Sequence, residues 1–272
     1  MLRDLYRKGK YPFLTKQEHY DAYLLTRLPA TQAAITAVLG QIREYRVRSL
    51  LDLGAGPGAG WLAAKQVFPH LETGTFIEAD PKFIEIGKKM VEGGVWEKRD
   101  LRQPGTFLPH DLALMSYSLG EMESWNEVVL EAWKACQIVA VIEPGTPEGF
   151  RRILSVRDLL IQQGASVLAP CPHAKACPSN WCHFSVRLER SGEHRRAKGG
   201  LLGYEDEKFS YIVVGKEPRQ LKSRIVRHPQ KRKGHTVFEL CTLNGLEKKV
   251  VTRSDASYKT LRKLDWGDTV DL

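Results

Sequence analysis

The sequence predicts an α/β protein built on a parallel, doubly wound sheet, and three observations predict it. Short apolar runs alternate with helical stretches, as strand–helix–strand crossovers require. The first run, "RSLLDLG" (48–54), stops at a glycine cluster. Hydrophobic residues make up 42% of the 272, enough for a sizeable core, yet no apolar run approaches the roughly 18 residues that span a bilayer.

The elements follow in order. Residues 17–45 read as helical: "YLLTRLPATQAAITAVLGQI" has Pro29 early, an Ala-rich body and apolar residues at helical spacing. "RSLLDLG" is a buried strand, "WLAAKQVF" a helix, "TGTFIEAD" a second strand and "PKFIEIGKKMV" a helix that Pro81 can open. "DLALMSYS" (111–118) and "QIVAVIEPG" (137–145) are buried strands flanking the helical "SWNEVVLEAWKAC". "RRILSVRDLLIQQG" (151–164) is another helix, and "KFSYIVVGK" (208–216) and "HTVFELCTL" (235–243) are strands. Segment 165–207 breaks the rhythm with cysteines, three prolines and "RLERSGEHRRAKGG", and reads as an insertion between the fifth and sixth strands. The expected organisation is an N-terminal helical region (1–45), a Rossmann-like core (46–170), a cysteine-rich basic insertion (171–207) and C-terminal strands completing the sheet (208–272). The N-terminal stretch "MLRDLYRKGKYPFLT" is basic, without a secretory apolar core or cleavage site. A cytoplasmic protein, monomeric when free and without a membrane partner, is expected; the mitochondrial matrix is the alternative location.

"LLDLGAGPGAG" places Gly54, Gly56 and Gly58 in the turn from first strand to first helix, where glycine admits positive φ and close approach to a ligand. A nucleotide-free domain, a dinucleotide site and an S-adenosylmethionine site all use such a turn. Asp52 favours the last, because a carboxylate suits an ammonium and a sulfonium and repels a pyrophosphate. Glu78, ending the second strand, is placed for both ribose hydroxyls. Asp100, after the third strand position, can take the adenine amino group, and Ser116 and Tyr117 line the cleft floor. No catalytic residue is assigned: the end of the fourth strand reads "SYSLGEM", without the Asn/Asp-Pro-Pro-aromatic sequence that methylates exocyclic amines, and Cys136, at a helix end, reads as buried.

Three cysteines crowd "CPHAKACPSNWCHF" (171–184) in a chain that has five. Cys171, Cys177 and Cys182 with the distant Cys241 suit a soft-metal site, either zinc or an iron–sulfur cluster. Pro172 and Pro178 keep the loop irregular, and His173 and His183 are spare candidates. Cys241 also reads as a buried core residue of "VFELCTL".

The net charge is +9, and its distribution is uneven: residues 1–170 hold 20 Lys+Arg and 20 Asp+Glu, whereas residues 171–272 hold 21 and 12. "KEPRQLKSRIVRHPQKRKGH" carries eight Lys+Arg between 216 and 233 against Glu217, and Arg187, Arg190, Arg195, Arg196 and Lys198 form a second group. Such clusters on a neutral body point to a polyanion such as RNA. Trp181, Phe184 and Tyr204 are candidates for stacking on unpaired bases or for packing over the metal loop.

Together, "RLPATQAA", "LLDLGAGPG", "SYSLGEM", "IEPGTPEGF", "CPH...CP...WCHFS", "FSYIVVGKEP", "ELC" and "WGD" resemble the methyltransferase-like small-ribosomal-subunit assembly proteins of mitochondria and bacteria, over most of the chain. The resemblance implies a class I S-adenosylmethionine-dependent methyltransferase fold, S-adenosylmethionine binding, a 4Fe–4S cluster on Cys171, Cys177, Cys182 and Cys241, and association with small-subunit rRNA. Two functions follow: an rRNA methyltransferase, or a non-catalytic assembly factor that keeps the fold. A dinucleotide or small-molecule enzyme accounts for neither the charge asymmetry nor the cysteines.

Overall fold

A computed structural model describes residues 16–103 and 105–271; the basic stretch 1–15 lies outside the described residues. Helix α1 (Gln17–Leu39) is followed by β1 (Ser49–Leu53), α2 (Ala59–Val67), β2 (Thr73–Glu78), α3 (Pro81–Met90) and β3 (Val95–Lys98). Then come β4 (His110–Ser116), α4 (Asn126–Ala135), β5 (Cys136–Pro144), α5 (Pro147–Gln162) and β6 (Ser166–Ala169). Strand β7 (Phe184–Glu189), the short helix α6 (Gly192–Lys198) and β8 (Tyr204–Gly215) complete the main sheet. Its order is β3-β2-β1-β4-β5-β8-β6, with β7 hydrogen-bonded to the outer part of β8. Strands β1 to β5 run parallel, and β8 is antiparallel to both neighbours.

Side-chain alternation explains the two apolar layers. Leu112 and Leu114 of β4 and Ile138 and Ala140 of β5 face Ile35 and Leu39 of α1. Ala113, Met115, Val139 and Val141 face α4 and α5, packing on Val129, Ile153 and Val156. Local signals set the helix ends. Asp80 caps α3, accepting from the Lys82 N–H at 2.8 Å, with Pro81 in the first turn. Thr146 caps α5 by accepting from the Gly149 N–H at 3.0 Å, ahead of Pro147. Pro29 lies well inside α1, where it withholds one helical N–H. No helix among the described residues is long and apolar enough to cross a membrane.

The C-terminal segment departs from the expected arrangement. Instead of completing one sheet, residues 208–272 divide. β8 joins the main sheet, while β9 (Ser223–Ile225), β10 (Gln230–Arg232), β11 (His235–Thr242), β12 (Gly245–Thr252) and β13 (Thr269–Val270) form a second sheet. It has its own apolar centre of Ile225, Phe238, Leu240, Val251, Tyr258, Leu261 and Val270, the helix α7 (Tyr258–Leu261) contributing two. The expected insertion is also more ordered than the sequence suggested: β6, β7 and α6 occupy much of 165–207. Arg224, buried on β9, ties the second sheet down, donating to Gln41 Oε1 at 2.6 Å, the Gly267 carbonyl at 2.7 Å and the Pro170 carbonyl at 3.2 Å.

The "IEPGTPEGF" stretch is a tight turn from β5 into α5, and a Cβ on Gly149 would run into the Pro144 carbonyl oxygen. Because that oxygen belongs to the backbone, Gly149→Ala is expected to destabilise the fold by about 1–3 kcal/mol. Urea unfolding followed by circular dichroism checks this as a lowered midpoint at unchanged slope.

Candidate cofactor cleft and cysteine cavity

The carboxyl ends of β1, β2 and β4 converge on the glycine turn. Gly54 and Ala55 donate to the Ile77 carbonyl at 2.9 and 3.0 Å, tying the turn to β2. Gly54, Gly56 and Gly58 have φ of 79°, 54° and 99°, the left-handed region where side chains are strained. A Cβ on Gly54 would also stand 2.7 Å from the Ser118 Cβ.

Glu78 is part of this turn. Its Oε2 accepts from the Gly56 N–H at 2.7 Å, and its Oε1 from the Ala79 and Asp80 N–H groups at 2.8 Å each. Burial raises its pKa, against those backbone donors. Asp52 is 1% exposed, and its Oδ2 has no partner. Burial, and then the nearby Glu78 charge, push its pKa up to about 7. Glu121, in "SYSLGEM", is pushed up to about 8 by desolvation, then by Glu78 and Glu143. Its side chain is nevertheless exposed at the cleft mouth, so solvent tempers this shift. Glu143 is buried and accepts from Arg152 Nε at 2.8 Å and the Leu119 N–H at 3.2 Å. The cleft therefore holds carboxyl groups that lack enough positive charge to ionise together.

Ser116 and Tyr117 end β4. Tyr117 has φ 59°, unusual for a residue with a side chain. Its hydroxyl donates to Glu207 Oε1 at 2.9 Å. Arg27 reaches from α1 to both Glu207 oxygens at 3.3 Å, its guanidinium 5.2 Å from the Tyr117 ring centroid. Tyr23 of α1 comes within 3.6 Å of where a Gly56 Cβ would stand, and Tyr20 donates to Asp80 at 2.8 Å. Sequence reasoning missed Tyr23, Arg27 and Glu207, which come from distant elements and carry no motif. Asp100 lies at the outer edge, after β3, where Arg102 grips it through contacts of 2.6 to 3.0 Å. The Arg102 hydrogen bonds hold its pKa below the ordinary carboxylate range.

The four cysteines come together elsewhere. Cys171, Cys177, Cys182 and Cys241 all line one cavity of about 280 Å³ between α5, β8, β9 and β11, with Phe150 and Tyr211. All four are free thiols. Burial raises the pKa of Cys171, Cys182 and Cys241, the last to about 12, and neighbouring cysteines add to each shift. Cys241 sits on the face of β11 opposite the core residues Phe238 and Leu240. Buried side chains fix the loop. Arg157 Nη2 donates to the His173 and Lys175 carbonyls at 3.0 and 2.6 Å, and Ser210 Oγ to the Cys182 carbonyl at 2.8 Å. His173 Nε2 lies 3.9 Å from Cys241 Sγ. Among the described residues, no three His, Cys, Asp or Glu side chains stand close enough together to hold a single metal ion.

The sheet order, with an antiparallel strand wedged beside the fifth, and the glycine turn with its acidic partners define the class I methyltransferase fold. The family model described as "Mitochondrial small ribosomal subunit Rsm22" matches residues 17–271; the chain belongs to this family. Two relatives are the mitochondrial Rsm22-cox11 tandem proteins 1 and 2 of Schizosaccharomyces pombe, each 25% identical over 92% of this chain and 43% of theirs. The chain thus spans less than half the length of these relatives. Both names and the family description refer to mitochondria, the alternative rather than the first expectation from the sequence. Among solved structures, the N-methyltransferase NodS of Bradyrhizobium japonicum WM9 is 15% identical, with TM-score 0.45 over 70% of this chain and 98% of that one. Precorrin-6y C5,15-methyltransferase of Geobacter metallireducens GS-15 is 11% identical, with TM-score 0.45 over 66% and 87%. Neither likeness bears on the chemistry of this chain.

Asp52 makes the acidic cleft testable. Its folded pKa, about 7, lies above the ordinary value of 3.8. Between these values the folded chain keeps a proton that the unfolded chain releases, so this group's contribution to stability falls as pH rises. Asp52→Asn does not titrate. The difference in unfolding midpoint between wild type and variant is therefore expected to move against the wild type from pH 4 to pH 7. A flat difference would place Asp52 in contact with water.

Proposed function

We propose that this chain binds S-adenosylmethionine in the acidic cleft and a 4Fe–4S cluster in the four-cysteine cavity, and acts on small-subunit rRNA during ribosome assembly as a methyltransferase. The observation that carries the first part is the crowding of Asp52, Glu78 and Glu121 beside the glycine turn. A cationic ligand lets these carboxyls ionise, whereas a pyrophosphate meets like charge. Gly54, Gly56 and Gly58 let the backbone approach the ligand. Glu78, already oriented by three backbone N–H groups, keeps lone pairs for the ribose hydroxyls. Ser116 and Tyr117 form the floor, and Asp100 reaches the adenine amino group by giving up part of its contact with Arg102. When bound, the cofactor supplies a methyl group on a sulfonium; the protein contributes orientation.

A second reading, the non-catalytic assembly factor, is favoured by Tyr117. Its hydroxyl is committed to Glu207, with Arg27 across its ring, at the strand end where a methyl acceptor approaches. Transfer of a labelled methyl from S-adenosylmethionine to immature small-subunit RNA separates the two readings: incorporation that needs the intact glycine turn establishes the enzyme. Glu78→Ala is expected to weaken S-adenosylmethionine binding by on the order of tenfold or more, read by isothermal titration. Unchanged affinity would remove Glu78 from the ribose site.

For the metal, four free thiols lining one cavity support a cluster over zinc. A tetrahedral Zn²⁺ with about 2.3 Å bonds needs sulfurs roughly 3.8 Å apart, and no three of the described His, Cys, Asp or Glu side chains are grouped closely enough to hold one ion. A multi-iron cluster is held by sulfurs spread around its outside. Bound there, it cross-links the loop 171–182 to β11. Anaerobically purified protein is expected to contain about four irons and four acid-labile sulfides per chain, and Cys241→Ser to lose most of both. One zinc without sulfide would overturn the cluster. The RNA contact is assigned to the basic C-terminal half, with the exposed β10–β11 hairpin carrying Lys231, Arg232 and Lys233 at its centre. The mitochondrial names of the relatives support the mitochondrial matrix as the location.

A further inference from the structure

Trp181, His183 and Trp266 form a stack that the activities above leave unused. The Trp181 and His183 rings lie 4.2 Å apart between centroids and 17° from parallel. Trp266, from the second sheet, meets His183 edge-on at 4.9 Å, and His228 meets Trp266 at 4.9 Å. His183 is buried beneath this cover, whereas Trp181 remains 36% exposed. Arg227 Nη2 donates to the Trp181 carbonyl at 3.1 Å. Phe184, by contrast, is a core residue packed on Tyr211.

The stack continues into a surface. Residues 185, 187 and 189 share the alternation of β7, and the pairs Ser185–Lys208, Arg187–Asp206 and Glu189–Tyr204 lie on the outward side of the β7–β8 ribbon; Trp181 and His183 lie in the loop that leads into it. Tyr204 is 37% exposed, with the Arg187 guanidinium 4.0 Å from its ring centroid. Two open aromatic rings thus stand at opposite ends of a ribbon whose Phe184–Phe209 and Glu189–Tyr204 pairs are roughly 17 Å apart. Lys208 and Arg187 lie between them, Arg227 lies beside the first, and the exposed Glu189 stands opposite Tyr204 at the far end. Asp206 is neutralised by Arg187 at 2.8 Å, and Asp265 faces His228 at 3.1 Å.

We propose that this ribbon is a track for single-stranded RNA, on which an unpaired base stacks against Trp181 and a second, a few nucleotides along, against Tyr204, with Arg227 and Lys208 meeting the intervening phosphates. This rests on the reading that the chain binds RNA, and it names the form of RNA. A base pressed against His183-backed Trp181 must present its face, which an A-form duplex hides between neighbouring pairs. Rigid backing by His183 and Trp266 keeps the entropic cost of ordering the indole low. The same indole face accepts any base, so the contact selects for strandedness rather than sequence.

The test uses the full chain with a fluorescent 12-nucleotide oligoadenylate and, separately, a 12-base-pair RNA duplex, at one salt concentration. Trp181→Ala is expected to lose on the order of tenfold in affinity for the single strand and to leave duplex binding unchanged, while Trp181→Phe keeps most of the single-strand affinity. Because Trp181 adjoins Cys182, iron and sulfide content must match wild type in both variants; Tyr204→Ala, far from the cysteines, is expected to give a smaller loss of the same kind. Neutralising Lys231, Arg232 and Lys233 together weakens both RNAs. If that triple variant weakens binding while Trp181→Ala and Tyr204→Ala bind the single strand like wild type, the stacking track is wrong and the RNA reading stands. If the wild type binds neither RNA, both fail.

Discussion

The antiparallel placement of β8 between β5 and β6 is the constraint on which both candidate sites depend. Residues 209–215 of this strand close the main sheet by pairing with β5, from Pro144–Phe209 to Ile138–Gly215. Residues 204–208 run on past the sheet edge to pair with β7. One continuous strand therefore presents Glu207 to Tyr117 and Arg27 in the cofactor cleft, Ser210 to the Cys182 carbonyl, and Tyr211 to the cysteine cavity. Because the side-chain period is two, a slip of one residue in the β5–β8 register would exchange these roles with their core-facing neighbours. The seven-residue pairing with β5, buried on both faces, holds the register that keeps the two sites in step.

Charge is arranged to opposite ends in the two halves. In the cleft, carboxyl groups accumulate with Arg27 and Arg102 each already engaged by one acid and Arg152 by two, Glu143 and Glu148. Around the cysteines the buried charges are arginines: Arg224 holds neutral carbonyls, while Arg157 holds loop carbonyls and also pairs with Asp158 at 2.7 Å. A buried guanidinium that spends its N–H groups on neutral carbonyls keeps an uncompensated positive field. The cleft thus favours a guest of positive charge.

The main sheet was legible because its strands are apolar on both faces and end at glycine, proline or polar residues. The four cysteines were legible as a group through spacing, and so were Asp52 and Glu78 through their places at strand ends. What escaped was non-local. β3, with Val95 and Glu97 exposed, and the four-residue β6 have no sustained pattern to read. The second sheet was hidden because β9 and β13 are two or three residues long and gain meaning only from pairing through Arg224. Cys241 shows the limit well: alternation read it as an inward-facing core residue, whereas it lies on the face opposite Phe238 and Leu240, and which face meets the core depends on Ile225 and Val251 from β9 and β12. Asp100 was read as the contact for the adenine amino group, and only the fold of its turn brings Arg102 onto it.

The Tyr117 geometry bears on whether cofactor binding and catalysis are separable in this family. A methyl acceptor must approach the sulfonium along the side opposite the leaving group, and the end of β4 is the floor of that approach. Here the floor is roofed by α1, through Tyr23 and Arg27, and locked to β8 through Glu207. The Tyr117–Glu207 and Arg27–Glu207 contacts are polar, and water can satisfy the groups they expose at modest cost. The helix itself is held by apolar packing: Tyr20 is buried against Phe83, Tyr23 packs on the same ring at 4.8 Å, and Tyr23, Leu24 and Leu28 join the apolar core. An acceptor that reaches the end of β4 therefore has to displace the contacts of Glu207, whereas binding of a cofactor alone leaves them in place.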